Sequence, residues 1–335
     1  MQAQPSASVL HDGVPPPRGL PIGDLCGFGR VGDDASITDL SLDRARGSLR
    51  ASHPDRPLLA LHLDGDVAWT AAYVPGTNVV ETTGRATAGE LRVVDFMPLA
   101  EGRPGQGDAA AAGRFVRIVS CTEGEVAFRL VCAAAADAQP ALEARTMDGW
   151  YIACSRPMSF GGELAATHVR LTAGESMAFM LAAEPVDGGA GLIADALHGL
   201  GDSMHYWTWW SDRCRYKGED FEARLREVLA LKLCCVPGGG LMDDHPGTGG
   251  FVAAPLVACA RAAARFLALG YRQECVDLLK YVQGGCDDVD QASWRSDDGF
   301  AQTLAHYVER YGDLGLPEGL RRALAAPNMP LQRAV

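Results

Sequence analysis

From Leu58 to about Pro185 the chain alternates apolar and polar positions in short runs broken by turn residues. The runs "LLALHLDGDVAWTAAYV", "TNVVETTG", "ELRVVDFMPL", "RFVRIVSCTEGEVAFRLVCA", "GWYIACS" and "THVRLTAGESMAFMLAA" carry the two-residue period of half-buried strands. Between and within them, "LDGD", "VPGTN", "TEGE" and "TAGE" are turn sequences. Many strands at this spacing, with no helical period among them, predict an antiparallel sandwich.

Near Gly188 the period changes from two to about 3.6. "GLIADALHGL" opens the helical half and the aromatic "MHYWTWWSDRCRYKG" follows. Asp220 stands where an N-cap for "FEARLREVLALKLCCV" belongs, with Phe221, Leu225, Val228, Leu229 and Leu233 on one face. Pro237 and three glycines end that helix. "GFVAAPLVACARAAARFLALGY" then passes from a strand end into a helix whose only charges, Arg261 and Arg265, share one stripe, with Gly270 at the C-terminal cap. A further helix is predicted from about Gly299 to Tyr311, burying Phe300, Leu304, Tyr307, Val308 and Tyr311. Trp207, Trp209 and Trp210 lie on a helical segment, where core packing between domains is the simpler expectation and ligand stacking the alternative. The predicted class is α+β: an N-terminal antiparallel β-sandwich followed by a partial (α/α) toroid-like helical domain. The expected boundaries are a disordered tail at 1–19, the β-domain at 20–187, the helical domain at 188–326 and a tail at 327–335, the first tail resting on its Pro, Ser and Gly content.

With 335 residues, 47% of them hydrophobic, the chain is long enough for a large core. A formal charge of -12 argues against nucleic acid, because phosphate tracking needs clustered Lys and Arg. Only three lysines occur, Lys217, Lys232 and Lys280, so a lysine nucleophile has few candidates. The first residues lack a basic and apolar leader, and no apolar run reaches the roughly 18 residues of a membrane span, so a cytoplasmic protein without membrane partners is expected. The ten cysteines show no CxxC or Cys/His ligand spacing and mostly sit in apolar runs, which predicts reduced core thiols. "GFGRVG" is not followed by a βαβ unit, so its glycines are read as a turn. No cofactor or metal ion is expected.

Five segments, in order, resemble the bacterial trehalase and glucoamylase-like proteins of glycoside hydrolase family 15. "PIGDL" with "GRVGDDASITDLSL" resembles that family's opening "IGD…VGxDGSIDWLCL"; "YVPGTNVVETT" with "LRVVDFMPL" resembles its "PGTNVLET…DFMP" hairpin; "RIVSCTEGEVAFRL" resembles the next strand pair. "WTWWSDRCRYKG" with "LALKLC" is similar to the entry into the helical domain, and "GGFVAAPL" to "GAIVAAPT". The resemblance implies a β-sandwich joined to an (α/α)6 barrel and a glycosidase ancestry. It also implies what is missing. In the family the "VAAPT" element is followed by a segment of the form "SLPE…RNWDYRYCWLRDA", whose aromatics stack on the sugar and whose Arg-Asp pair grips hydroxyls. Here Pro255 and Leu256 run straight into the next helix. The chain ends at Val335, and no residue matches the family's general acid or base, which inverting hydrolysis holds roughly 6.5 to 9.5 Å apart.

Three acidic clusters remain in the helical half. They are Asp243, Asp244 and His245; Asp287, Asp288 and Asp290; and Trp294, Arg295, Asp297 and Asp298. Asp297, Asp298, Asp243, Asp244 and His245 are the catalytic candidates and Trp294 and Arg295 the substrate-binding ones, because carboxylates, an imidazole and a stacking Trp on one rim can grip a polyol. Solvated loops, with Asp298 capping the next helix, are the alternative. The expected function is a family 15-like protein without hydrolytic activity that serves as a carbohydrate-related binding or scaffolding protein. The alternative is an active enzyme on an α-glucoside, trehalose or a maltooligosaccharide, or on a repurposed small metabolite, using the acidic loops. The expected partners are a small carbohydrate or other metabolite and, because a partial toroid leaves apolar helix faces to cover, a second copy or another protein.

Overall fold

The structure is a computed structural model and describes residues 19–43, 47–50, 56–99, 113–133, 139–161, 164–236, 239–244, 251–287, 298–312, 316, 318, 320 and 321. The tails expected at both ends fall outside these residues, apart from Gly19. The chain divides into two compact units, Pro17–Trp209 and a second running from Trp210 onward.

The first unit holds β1 (Leu20–Gly23), β2 (Phe28–Val31), β3 (Ile37–Asp43), β4 (Gly47–Arg50), β5 (Leu59–Leu63), β6 (Ala68–Tyr73), β7 (Val80–Ala86), β8 (Gly89–Phe96), β9 (Arg114–Cys132), β10 (Ala141–Arg145), β11 (Tyr151–Gly161), β12 (Leu164–Thr172) and β13 (Ser176–Ala182). Every pairing among them is antiparallel. Two sheets share the long strands β9 and β11. The first half of β9 lies between β8 and β13, and its second half between β5 and β12. The expectation of a turn at "TEGE" is therefore corrected. It is a corner inside one 19-residue strand, with Gly124 at φ 71. The β12–β13 turn "TAGE" seats on this corner, Ala173 N–H donating to the Gly124 carbonyl (2.9 Å) and Cys121 N–H to that of Glu175 (3.0 Å).

Residues from both sheets, among them Ile22, Ile37, Leu59, Val93, Phe115, Phe128, Ile152 and Leu181, form one buried cluster between them. A long helix, α1 (Gly191–Asp212), follows. Its Leu192 and Ala196 join a second cluster with Val94, Phe96, Val116, Ile118, Ala178 and Met180, on the other side of the sheet carrying β8, β9 and β13. This explains why β13 is buried at six successive positions instead of alternating.

The turns that carried the sequence resemblance hold the first unit together. Asp24 Oδ1 accepts the amides of Cys26 (3.1 Å) and Gly27 (2.5 Å), and Oδ2 that of Gly113 (3.3 Å). In "VPGTN", Pro75 and Gly76 (φ 71) make the middle of a turn, and the Thr77 hydroxyl donates to the Val74 carbonyl at 2.8 Å. Asp95 of β8 lies opposite Arg117 of β9, and their side chains pair twice, Nε to Oδ1 at 2.7 Å and Nη2 to Oδ2 at 2.8 Å, both wholly buried. Arg117 Nη2 also donates to the carbonyl of Ala35, which "GDDAS" turns inward at φ 60.

The second unit contains α2 (Phe221–Cys234), the hairpin strands β14 (Met242–Asp244) and β15 (Phe251–Ala253), α3 (Leu256–Leu269), α4 (Arg272–Asp287) and α5 (Asp298–Tyr311). α2 buries Leu225, Val228, Leu229 and Leu233 as expected, with Phe221 half-buried. Asp220 occupies the N-cap position without capping. Its carboxylate instead accepts the Tyr216 hydroxyl and, at 2.7 Å, Arg224 Nε. Gly270, at φ 95, ends α3 in the left-handed cap that the pattern predicted, its N–H bonding Leu267 and that of Tyr271 bonding Phe266. α4, which the periodicity did not single out, packs against α3 beside α5. Among the described residues no helix is long and apolar enough to cross a membrane.

Candidate functional site

The densest polar arrangement in the second unit is built on a single carboxylate. Glu274, in the first turn of α4, is buried, and Trp210 at the end of α1 donates its indole N–H to Glu274 Oε1 at 2.8 Å. Lys232 Nζ lies 3.5 Å from the same oxygen, and Arg213 Nη2 lies 3.4 Å from Oε2. Tyr271 stacks on Trp210 with ring centroids 4.0 Å apart and planes within 12°. Burial alone would push the Glu274 carboxyl up. The Lys232 and Arg213 charges and the Trp210 N–H overcome that and hold it below its ordinary value.

This arrangement ties Trp210 and Arg213, at the start of the second unit, and Lys232 of α2 to Glu274 of α4. It does not suit catalysis. An ionised carboxylate with 6% of its side chain exposed, both oxygens engaged and its proton affinity lowered, has no proton to give and little access to a substrate. Tyr271 is shifted the other way, pushed up by burial first and then by neighbouring Cys214 and Glu274, so it stays a neutral phenol. The sequence signal for this cluster is Lys232. A lone lysine in the apolar run "LALKLCC" requires a buried anion, although periodicity alone does not say which.

A shallow groove of about 420 Å³ runs between α3 and α5, floored by Ala264, Leu267 and Ala268 and bordered by Thr303, His306, Glu309 and Arg310. Arg310 Nη1 donates to the Leu267 carbonyl at 2.9 Å, so its charge serves the C-terminal end of α3. Among the described residues that line this groove, Glu309 is the one carboxylate.

Of the residues singled out in the sequence, Asp243 and Asp244 lie on β14, opposite Val252 and Phe251 of β15, rather than in an irregular loop. Asp298 opens α5 and Asp287 closes α4. The side chains of these four residues fall outside the described residues. So do His245, Asp288, Asp290, Trp294, Arg295 and Asp297 altogether. Among the described residues no group of His, Cys, Asp and Glu has the arrangement of a metal site. Trp207 and Trp210 are buried, and Trp209 is half-buried.

No family model matches the chain, and no curated protein matches it. Among solved structures, a bacterial glucoamylase complexed with acarbose is similar at 10% sequence identity and a TM-score of 0.49, over 81% of this chain and 50% of that one. The chain thus spans about half the length of that glucoamylase chain.

Proposed function

We propose that this chain is a glycoside hydrolase family 15-like protein that lacks hydrolytic activity and serves as a carbohydrate-related binding or scaffolding protein, with its helices in a shortened toroid-like arrangement. The observation that carries this reading is the joint between β15 and α3. Ala254 N–H bonds the Leu241 carbonyl at 2.8 Å, and the next carbonyl along, that of Pro255, already accepts the amides of Ala258 (2.9 Å) and Cys259 (3.2 Å). The strand passes to the helix across two residues, Ala254 and Pro255. In the pattern that the sequence resembles, the sugar-contacting segment belongs at this point. Its absence is internal to the chain, between two flanks that are both kept.

The test is glucose release from trehalose, maltose and a chromogenic α-glucoside by the purified protein, with a thermal-shift screen of the same sugars. The expected result is no glucose and a sugar-dependent rise in melting temperature. Glucose release that disappears when Asp297 and Asp298 are changed to Asn would replace this reading by that of an active enzyme. A screen in which no sugar raises the melting temperature would remove the carbohydrate ligand and leave scaffolding alone.

A further inference from the structure

We propose that Arg261 and Arg265 of α3 form a binding site for the phosphoryl group of a small molecule. The proposal is independent of the carbohydrate reading. The two arginines stand four residues apart on one stripe of the helix, Arg261 exposed and Arg265 half-buried. They are the only charges of α3, and like charges at that spacing repel. Among the described residues neither has a hydrogen bond, an ion pair or a ring contact. Other arginines of the second unit are partnered: Arg213 with Glu274, Arg224 with Asp220, Arg272 with the Tyr307 hydroxyl and Arg310 with the Leu267 carbonyl.

Arg265 is also held in a direction. Its Nη1 is enclosed without an acceptor, whereas Nε and Nη2 are not enclosed. One end of the guanidinium is packed and the opposite edge is left to solvent. That edge is the two-donor fork by which Arg117 grips Asp95, Nε to one oxygen and Nη2 to the other. Long side chains on a helix lean toward its N-terminus, so Arg265 leans over the turn that carries Arg261. The positions around them on the helix surface, Val257, Ala258, Ala264 and Ala268, have short side chains, which leaves room for a ligand on this stripe. The first turn of α3 holds no acidic side chain to compete for the two charges.

Charge and geometry select the ligand. Two adjacent cations, one of them half out of water, are matched by a compact dianion. A carboxylate offers one charge and two oxygens, which a single fork satisfies. A phosphoryl group carries nearly two charges near neutral pH and three oxygens, enough for the Arg265 fork and for Arg261 together. The net charge of -12 on the chain opposes any anion, but only weakly at this site. Charges farther off than the roughly 8 Å screening length of physiological salt are largely damped, while the two guanidiniums act in direct contact.

The test is titration calorimetry of the full chain with inorganic phosphate and with phenyl phosphate, against acetate at equal ionic strength, for the wild type, Arg261→Gln and Arg265→Met. Methionine at 265 keeps an unbranched stem and a similar helix preference without the charge. The wild type is expected to bind phosphate more tightly than acetate, and each variant to weaken phosphate binding by about tenfold or more. Tighter binding of phenyl phosphate than of phosphate would make an ester the ligand, and the reverse order the free ion. Without phosphate, Arg265→Met should melt at or above the wild-type temperature, because it removes a like-charge pair and an enclosed N–H that lacks an acceptor. Arg261→Gln, at an exposed position, decides the affinity independently of any effect on folding. A wild type that binds neither phosphate, an affinity that the variants leave unchanged, acetate binding as tight as phosphate, or an Arg265→Met variant that melts well below the wild type would each overturn the proposal.

Discussion

The indole N–H of Trp210 donates to Glu274 at 2.8 Å, and the same carboxylate lies within 3.5 Å of Lys232 and 3.4 Å of Arg213. Two cations and one strong donor thus share a single buried anion, and the helices that carry them depend on its ionisation. Because the folded-state value of Glu274 is depressed, its contribution is complete above the ordinary value of 4.5 and is lost as pH falls through the lower folded value. Glu274→Gln keeps an acceptor for Trp210 but removes the negative charge that Lys232 and Arg213 share, at an expected cost of about 3 kcal/mol at neutral pH. The urea midpoint of the wild type should fall more steeply than that of the variant as pH drops below 4.5. Parallel curves would show that Glu274 does not titrate as described.

Asp95 and Arg117 make the corresponding pair in the first unit, with no exposure of either side chain. Burial pushes the Asp95 carboxyl up against the pull of the guanidinium, so the pair holds only while both partners are present. Asp95→Ala should cost about 3–5 kcal/mol, by leaving the buried Arg117 charge without the carboxylate that pairs it. The double variant Asp95→Leu, Arg117→Met should recover most of that loss. Chemical denaturation of the singles and the double gives the coupling directly, and additive losses would contradict a shared buried pair.

The corner of β9 rests on one residue. Gly124 has φ 71, and a Cβ there would lie 2.2 Å from the Ala88 carbonyl oxygen. Gly65 also has a positive φ, 82, but a Cβ would meet nothing within 4 Å. Gly65→Ala should therefore cost only the conformational term, about 1 kcal/mol. Gly124→Ala should cost well beyond that, because backbone must move to admit the methyl. Equal urea midpoints for the two variants would mean that β9 does not bend there.

These residues also show what was legible in the sequence. Period and turn chemistry gave the strands, the change to helices near Gly188 and the glycine cap at Gly270, all of them local signals. Pairing partners are not local. "TEGE" has the composition of a hairpin turn, and only the sheets on either side of β9 make it a corner. Asp220 has the position of a cap, but Tyr216 and Arg224 compete for its carboxylate. The quoted motifs of the first unit turned out to carry structure: Asp24, Thr77, Asp95, Arg117 and Ala35 hold turns and one buried ion pair. Glu274 gave no sign of its role, because its partners lie on α1 and α2, far from it in the chain.

The cysteines test burial in both units at once. Nine free thiols are described; Cys132 and Cys275 are pushed up to about 12 and Cys154 to about 11, in each case chiefly by burial. Alkylation requires both access and thiolate, and a thiol of pKa 12 is ionised at only about one part in ten thousand at pH 8. Cys26, Cys234 and Cys235 are half-buried. A short iodoacetamide pulse on the folded protein, read by peptide mass spectrometry, should mark those three well before Cys132, Cys154 and Cys275. Denaturation should bring all of them to similar rates. If Cys132 reacts early while Cys275 stays protected, the first unit opens independently of the second. If both react as fast as Cys26, neither core excludes water as its packing requires.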